Sequence, residues 1–204
     1  MGNTQKHWNR IYATKTPEQV GWTQDMPKSS LDFVRYFKLP GTASIIDIGG
    51  GDSKFVDCLI DMGFQDVTVL DISERALQRA QARLGENAKK VKWIVSDVTD
   101  FTADHAFDLW HDRATFHFLT TEREIEKYIS RAKNAVRNNG YLTIGTFSEK
   151  GPDQCSGLKI KKYSEESLQQ QLEQGFKKLR CFTEDHITPF KTIQNFLFCS
   201  FQRT

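Results

Sequence analysis

The chain has 204 residues, of which 38% are hydrophobic and 26% charged, a composition typical of one ordinary globular domain. Its formal net charge of +2 gives no long-range field of the kind that non-specific nucleic-acid binding relies on. No stretch approaches the roughly 18 apolar residues of a membrane span, and the polar residues 1–10 do not form a signal peptide. We therefore expect one cytosolic domain, 1–204, with residues 1–28 as a leader and 29–204 as the core, and neither nucleic acid nor membrane as a partner.

Short apolar segments alternate with helix-length segments along most of the chain. The predicted helices cover 29–37, 54–62, 74–84 and 122–136, and the predicted strands cover 44–48, 67–70, 91–95, 107–110 and 141–147. This alternation is typical of βαβ units around a parallel sheet. The C-terminal segments 176–187 and 193–201 are also strand-like, and the short link between them predicts an antiparallel hairpin.

The four cysteines are widely spaced and form no CxxC pair; they are Cys58, Cys155, Cys181 and Cys199. Three of them lie in apolar or alternating stretches, where a thiol usually acts as a small buried hydrophobe. We expect all four to be reduced and no metal to be bound.

The most informative segment, 45–53, is an apolar strand that leads into Gly49-Gly50-Gly51 and then into a helix. Glycine permits close approach of a ligand to the backbone, and the helix start offers unpaired N–H groups. A dinucleotide fingerprint, G-x-G-x-x-G, would need glycine at Lys54. Because carboxylates at Asp47 and Asp52 would repel a diphosphate, the loop favours a nucleoside that carries positive charge.

An acidic residue also follows each of the next two predicted strands. Asp71 lies 71 − 49 = 22 residues beyond the first glycine, where an acid can accept hydrogen bonds from both ribose hydroxyls. Asp97 follows the next strand, where a carboxylate could accept from an adenine amine. A single glycine turn or aspartate is usually plain turn geometry or a helix cap, but three acids in register with a βαβ pattern favour a nucleoside site.

Four segments together resemble the motifs of class I S-adenosylmethionine-dependent methyltransferases. They are DIGGGDS at 47–53, VLDIS at 69–73, SDV at 96–98 and FDLWHD at 107–112. The resemblance covers nearly the whole chain. It implies an α/β fold with a doubly wound, mostly parallel sheet of order 3-2-1-4-5-7-6, strand 7 antiparallel, and helices on both faces. It also implies S-adenosylmethionine as the cofactor and methyl transfer as the reaction.

Carried over by position, the resemblance assigns most of the cofactor contacts. Asp47, Gly49, Gly50 and Gly51 would lie at the methionine part, Asp71 and Ile72 at the ribose, and Asp97 and Val98 at the adenine. One position departs from the motif, because the family's third glycine is Ser53 here. Serine is tolerated at a helix start, so this change affects cofactor affinity rather than the fold.

The leader contains Trp8, Tyr12 and Trp22. In methyltransferases similar to this chain, a leader with W-x-x-x-Y and a glycine- or serine-tryptophan pair folds over the cofactor as a lid. Trp22 is therefore a predicted cofactor contact, since an aromatic face attracts a sulfonium with about 0.5–2 kcal/mol. The alternative is that Trp8 and Trp22 only anchor a helix to the sheet.

Ionisable side chains are concentrated after the fourth strand, where this class places its acceptor. The predicted catalytic residues are His111, which could take a proton from the acceptor, Asp112, which could orient a histidine, and Arg113, which could bind a carboxylate or phosphate bidentately. His117 is a second, weaker candidate. The loop 148–158 after the fifth strand is a further candidate lid.

The predicted function is methyl transfer, by in-line displacement, to a small-molecule O-, N- or S-acceptor. Methylation of a protein lysine is the serious alternative. Two other classes are also considered. A nicotinamide-dependent oxidoreductase would need glycine at Lys54, and a protein that binds the cofactor without transferase activity would not need the ionisable cluster. The sequence predicts no oligomeric state.

Overall fold

The structure is a computed structural model and describes residues 2–204. Its strands are β1 Ser44–Ile48, β2 Asp66–Asp71, β3 Val91–Val95, β4 Phe107–Arg113, β5 Val136–Phe147, β6 Gln154–Cys155, β7 Leu158–Lys159, β8 Phe176–Ile187 and β9 Ile193–Arg203. Seven of them form one sheet of order β3-β2-β1-β4-β5-β9-β8, and β6 and β7 form a separate small hairpin. Strands β1 to β5 are parallel, and β9 is antiparallel to both β5 and β8. The predicted order is confirmed, with β8 and β9 as its strands 6 and 7.

The helices lie on both faces of the sheet, as predicted. They are α1 Asn3–Thr14, α2 Lys28–Phe37, α3 Phe55–Asp61, α4 Glu74–Leu84, α5 Glu122–Ala135 and α6 Glu165–Leu172. Side chains of α2, α3 and α4 pack with Ile45 in one apolar cluster, and side chains of α5 and α6 pack with Ile46 in another. Consecutive residues of a strand point to opposite faces, so each central strand supplies both cores.

Local sequence signals account for where the longer helices begin. Ser73 Oγ accepts from the Ala76 backbone N–H at 3.2 Å and starts α4. Thr121 and Glu124 form a reciprocal capping box at the start of α5. Such caps satisfy N–H groups that have no partner inside the helix, and both lie next to strand ends that border the site described below.

Two strand boundaries differ from the prediction. Strand β4 continues to Arg113 instead of ending at Trp110, because it pairs with both β1 and β5 along this length. His111, Asp112 and Arg113 therefore lie in a strand and point to alternate faces. Strand β5 begins at Val136, which pairs with Phe107 across a register shift, so the strand starts five residues before the predicted start at 141.

Two of the four cysteines are bonded. Cys181 on β8 and Cys199 on β9 are directly opposite in the ladder, with Cα atoms 4.2 Å apart, and form a disulfide. The prediction that all four cysteines are reduced is therefore wrong for this pair, while Cys58 and Cys155 are free. Within residues 2–204 there is no group of three or more potential metal ligands and no helix long and apolar enough to cross a membrane.

The disulfide predicts a thiol count. Alkylation of the unreduced, denatured protein should label Cys58 and Cys155 only, and reduction should raise the count to four. Because the bond closes a loop with a sequence separation of 18, reduction should lower the free energy of unfolding by about 3 kcal/mol. Mass spectrometry of the alkylated protein measures the count, and a Cys181→Ser variant with three labelled thiols without reductant is the control. Four labelled thiols in the unreduced wild type would contradict the assignment.

Candidate functional site

A cavity of 260 Å³ lies at the carboxyl ends of β1 to β4, beneath α1 and residues 15–27, here called the lid segment. Parallel strands present their carboxyl ends at one edge of a sheet, which is where α/β proteins place ligands. Most of the predicted site residues line this cavity: Trp22, Asp47, Gly49, Gly50, Asp71, Ile72, Asp97, Val98, His111 and Arg113. Asp112 does not line the cavity.

The glycine loop is shaped by its neighbours. Gly49 and Gly51 have φ of 61° and 52°, a region that side chains with a Cβ rarely adopt. A Cβ on Gly49 would overlap Thr115 Oγ1, and a Cβ on Gly51 would come within 2.5 Å of the Tyr12 hydroxyl. The loop therefore lies close to β4 on one side and to α1 on the other, with its backbone open to the cavity.

Asp71 and Asp97 lie at the ends of β2 and β3, in the same wall of the cavity. Asp71 is 6% exposed, and burial raises its pKa to about 7, although its Oδ1 accepts from the Ser73 backbone N–H at 2.7 Å. Asp97 Oδ1 accepts from the backbone N–H and the hydroxyl of Thr99 at 2.8 and 2.9 Å. Each carboxylate is thus held in one orientation by the turn that follows its strand.

His111 is hydrogen-bonded at both ring nitrogens. Its Nδ1 lies 2.7 Å from Asp47 Oδ1 and its Nε2 lies 2.8 Å from Ser30 Oγ. Since a carboxylate only accepts hydrogen bonds, Nδ1 carries the proton and Nε2 accepts from the Ser30 hydroxyl. All three side chains are buried, and all three line the cavity. This is a connected serine–histidine–aspartate arrangement that joins α2, β4 and β1.

The prediction that Asp112 orients a histidine is wrong. Asp112 points to the opposite face of the sheet, has no exposed surface, and accepts from the Tyr128 hydroxyl and from the backbone N–H groups of Thr115 and Phe116. Burial raises its pKa to about 6 despite these donors. The carboxylate that contacts His111 is Asp47, on the neighbouring strand.

His117 also lies outside the cavity. Its side chain has no exposed surface, it stacks on Phe147 at 4.6 Å, and neither ring nitrogen has a hydrogen-bond partner within residues 2–204. Burial, and then the nearby Arg113 charge, lower its pKa to about 3. His117 is therefore neutral and packs as part of the core.

The leader covers the site as a helix followed by the lid segment. Trp8 on α1 packs against Trp22 and Phe118, with ring centroids 5.8 and 5.1 Å apart. Asn9 Oδ1 accepts from the Ser73 hydroxyl at 2.8 Å, which ties α1 to the end of β2. The aromatic residues anchor the leader and also line the cavity, while the contact of Trp22 with the cofactor stays a prediction.

Two hydrogen bonds connect the lid segment to β8 and to the end of β4. His186 Nε2 donates to the Gly21 carbonyl at 2.7 Å, and Arg113 Nη1 donates to the Trp22 carbonyl at 2.9 Å. At the glycine loop, Asp52 pairs with Arg79 at 3.4 Å. Because Asp47 and Asp52 both have cationic or hydrogen-bonding partners, they repel an anion less strongly than their sequence positions indicate.

Several lining residues carried no signal in the sequence. Ser30 lies on α2, and Gln194 and Phe196 lie on β9, far along the chain from the glycine loop. The loop 148–158, a predicted candidate, contributes Cys155 to the lining. The pairing of β9 with β5 brings Gln194 and Phe196 to the cavity.

Comparison with known proteins agrees with this geometry. Residues 45–140 match the family model described as a methyltransferase domain. The chain is 29% identical over 107 residues to the human N-terminal Xaa-Pro-Lys N-methyltransferase 1, an alignment that covers 51% of this chain and 47% of that protein. The chain thus spans about half the length of this curated relative.

Solved structures show the same fold over almost the whole chain. The N-methyltransferase NodS from Bradyrhizobium japonicum, in complex with S-adenosylhomocysteine, has a TM-score of 0.73 at 18% identity and covers 99% of both chains. The 1,6-didemethyltoxoflavin-N1-methyltransferase of Burkholderia thailandensis, with bound 1,6-didemethyltoxoflavin and S-adenosylhomocysteine, has a TM-score of 0.71 at 18% identity and covers 98% of this chain and 84% of that one.

A parallel sheet with a glycine loop and acids at successive strand ends defines a nucleoside-binding protein of the doubly wound α/β class. Within that class, residues 45–140, which include the glycine loop and these acids, match the methyltransferase domain, and the chain shares its fold with methyltransferases solved in complex with S-adenosylhomocysteine.

The burial of Asp112 predicts a pH effect on stability. Its folded pKa of about 6 lies above the usual aspartate value of 3.8, so its contribution to stability is present at low pH and is lost as pH rises from about 4 to 7. Asp112→Asn mimics the protonated acid. Between pH 4.5 and 7.5, the wild type should lose about 2 kcal/mol of unfolding free energy relative to this variant. Urea denaturation measures this difference, and Asp100→Asn, at an exposed position, should show none. A constant difference for Asp112→Asn across this range would contradict the pKa assignment.

Proposed function

We propose that this protein transfers a methyl group from S-adenosylmethionine to a small-molecule O-, N- or S-acceptor. The observation that supports it most is that one covered cavity joins the nucleoside-type acids, Asp71 and Asp97, to the polar group formed by Ser30, His111 and Arg113. The lid segment and α1 lie over both parts. A site covered in this way excludes water and favours a small acceptor that fits completely inside the cavity.

The residues present fit the cofactor. Gly49 and Gly50 line the cavity, so a ligand would meet backbone there without an intervening Cβ, and Gly51 packs against the Tyr12 hydroxyl. We propose that Asp71 and Ile72 hold the ribose, Asp97 and Val98 the adenine, and Asp47, Gly49, Gly50 and Gly51 the methionine end. Trp22 lines the same space and offers its face to a sulfonium. When bound, S-adenosylmethionine supplies an activated methyl group.

The proton lost by the acceptor has a path to His111. Ser30 Oγ lines the cavity and donates to His111 Nε2, while Asp47 accepts from Nδ1. We propose that Ser30 takes the proton of the acceptor as it passes its own to Nε2, and that Asp47 stabilises the imidazolium that forms. General-base assistance of this kind contributes typically about 10²–10⁴-fold. Asp112 takes no part in this path.

Methylation of a protein is the second candidate, and the comparisons supply its support. The human relative is named for the N-terminal Xaa-Pro-Lys group on which it acts. Under this alternative, an extended segment of a target protein would enter the cavity past α1. The Burkholderia relative, named for a small heterocycle, supports the first candidate.

A labelling experiment separates the two candidates. The purified chain is incubated with tritiated-methyl S-adenosylmethionine and a desalted lysate to which the small-molecule fraction is or is not returned. Label that appears only when the small molecules are present, and that remains soluble in acid, supports the small acceptor. Label in the protein pellet, independent of the small molecules, would overturn it in favour of protein methylation. A His111→Gln variant serves as the inactive control.

The raised pKa of Asp71 predicts that cofactor affinity depends on pH. An ionised carboxylate is needed to accept from two ribose hydroxyls, and the pKa of this group is about 7. At pH 6 about a tenth of it is ionised, so the affinity for S-adenosylhomocysteine should be roughly five- to tenfold weaker than at pH 8. Isothermal titration calorimetry measures both values. Asp71→Asn should bind weakly at both pH values, and Asp66→Asn, at the exposed start of β2, should behave as wild type. Equal wild-type affinity at pH 6 and 8 would contradict the assignment of Asp71 to the ribose.

The proposed proton path predicts that a substitution of His111 lowers the rate of methyl transfer without weakening cofactor binding. His111→Gln keeps an amide that can donate to Asp47 but removes the basic nitrogen. Methyl transfer at saturating cofactor should fall at least about 100-fold, while affinity for S-adenosylhomocysteine should change less than threefold. His105→Gln, at a half-exposed position near the other edge of the sheet, is the matched control. Unchanged turnover in His111→Gln would show that the acceptor needs no base.

A further inference from the structure

Arg113 has an incomplete set of partners. Its Nη1 donates to the Trp22 carbonyl at 2.9 Å, and its guanidinium lies over the Phe196 ring, 5.2 Å from the centroid. The other two nitrogens, Nε and Nη2, are inaccessible to solvent and have no hydrogen-bond partner within residues 2–204. These two nitrogens share one edge of the guanidinium, the edge whose parallel N–H bonds match a carboxylate.

The charge of Arg113 also lacks a direct counterion. Three cationic side chains line the cavity: Lys54, Arg83 and Arg113. Lys54 pairs with Asp25 at 2.6 Å and Arg83 with Asp57 at 2.7 Å. Within residues 2–204, no carboxylate lies within 4.0 Å of Arg113. A desolvated cation without a partner is costly, and removing that cost requires an anion.

The neighbouring ionisable groups do not fill this role. Asp47 is hydrogen-bonded to His111, and Glu184 accepts from the Ser29 hydroxyl. The pKa of His117 and the pKa of His186 are both lowered, by burial first, with the Arg113 charge contributing, so neither adds positive charge. Arg113 itself stays protonated at neutral pH, since its pKa is lowered by burial only to about 10.

Arg113 lies away from Asp71 and Asp97, the acids proposed to bind the nucleoside. Asp71 and Asp97 end β2 and β3, whereas Arg113 ends β4, two and three strands away in the sheet. Neighbouring strands are about 4.8 Å apart, so the guanidinium lies roughly 10 Å or more across the sheet from the ribose and adenine acids. Around it the cavity wall comes from β5 and β9, through Phe147 and Phe196.

We propose that Arg113 binds a carboxylate of the methyl acceptor, so that the substrate is a small organic acid. This inference rests on the proposed methyl-transfer function and names the substrate class of the same site. Because Nε and Nη2 are closed to solvent in this structure, the guanidinium turns toward the cavity on binding, and the carboxylate then accepts from Nε and Nη2 side by side. The aromatic rings of Phe147 and Phe196 flank the body of the acceptor. His111 lies on the same face of β4 as Arg113, and Ser30 of α2 contacts His111 on that face. The carboxylate would therefore lie at one end of the small molecule and the atom to be methylated at the other.

Matched ligand pairs test this inference. Benzoate, anthranilate and 4-hydroxybenzoate are each compared with the corresponding amide, and phenyl phosphate is included as a second anion. Binding is measured by saturation-transfer difference NMR with the full chain, alone and saturated with S-adenosylhomocysteine. For at least one pair we expect the acid to bind at least tenfold more tightly than its amide. The preference should vanish in Arg113→Met and persist in weakened form in Arg113→Lys.

A matched control is available on the outer surface. Arg180 is exposed on β8 and also stacks over a phenyl ring, Phe182, at 5.2 Å, so Arg180→Met removes a similar contact outside the cavity. It should leave the acid preference unchanged. Circular dichroism and thermal melts check that both methionine variants fold, and Arg113→Lys supplies the comparison if Arg113→Met does not.

Three outcomes would overturn the proposal. The first is equal binding of every acid and its amide by the wild type, and the second is tighter binding of phenyl phosphate than of any carboxylate. The third is a tenfold or greater loss of S-adenosylhomocysteine affinity in Arg113→Met with the acid preference intact, which would assign Arg113 to the carboxylate of the cofactor. Failure of the wild type to bind S-adenosylhomocysteine would instead overturn the proposed function, and the acid preference of the unliganded chain is measured independently of it.

Discussion

Parallel pairing of β3, β2, β1 and β4 is the constraint on which the site depends. Because these strands run in one direction, the residues that follow them meet at one edge of the sheet, although they are separated by 20 or more residues along the chain. Asp71, Asp97 and the glycine loop are neighbours for this reason alone. The hydrogen bond between Asp47 and His111 then links β1 to β4 at this edge and orients the imidazole toward Ser30.

The buried charges of this edge are organised in pairs, with one exception. Asp47 has His111, Asp52 has Arg79, and Asp112 has three donors on the opposite face of the sheet. Each arrangement offsets part of the cost of removing a carboxylate from water. Arg113 lines the cavity, and two of its buried donors have no partner within residues 2–204, an imbalance that the carboxylate of the proposed acceptor would remove.

The leader connects the two ends of the site. Through Asn9 it contacts the start of α4 near Asp71, and through the lid segment it contacts Arg113 and His186. α1 and the lid segment therefore cover both the proposed nucleoside part and the proposed acceptor part of the cavity. The position of Trp22 depends on the contacts at both ends. Its backbone carbonyl accepts from Arg113, so the lid segment and the proposed acceptor end of the cavity share this guanidinium.

The sequence by itself determined the alternation of strands and helices, the C-terminal hairpin and the acids at the ends of β2 and β3, because glycine turns, helix caps and apolar periodicity act over a few residues. The strand order and the helices on both faces were expected only from the resemblance to a methyltransferase family. Long-range pairing decided the rest. Asp112 is adjacent to His111 in sequence, yet alternation along β4 turns it to the other face, and Asp47 takes its place from a neighbouring strand. Ser30, Gln194 and the Cys181–Cys199 bond likewise depend on which elements pack together. Contacts between segments far apart in the chain leave no local pattern, so only the tertiary structure decides them.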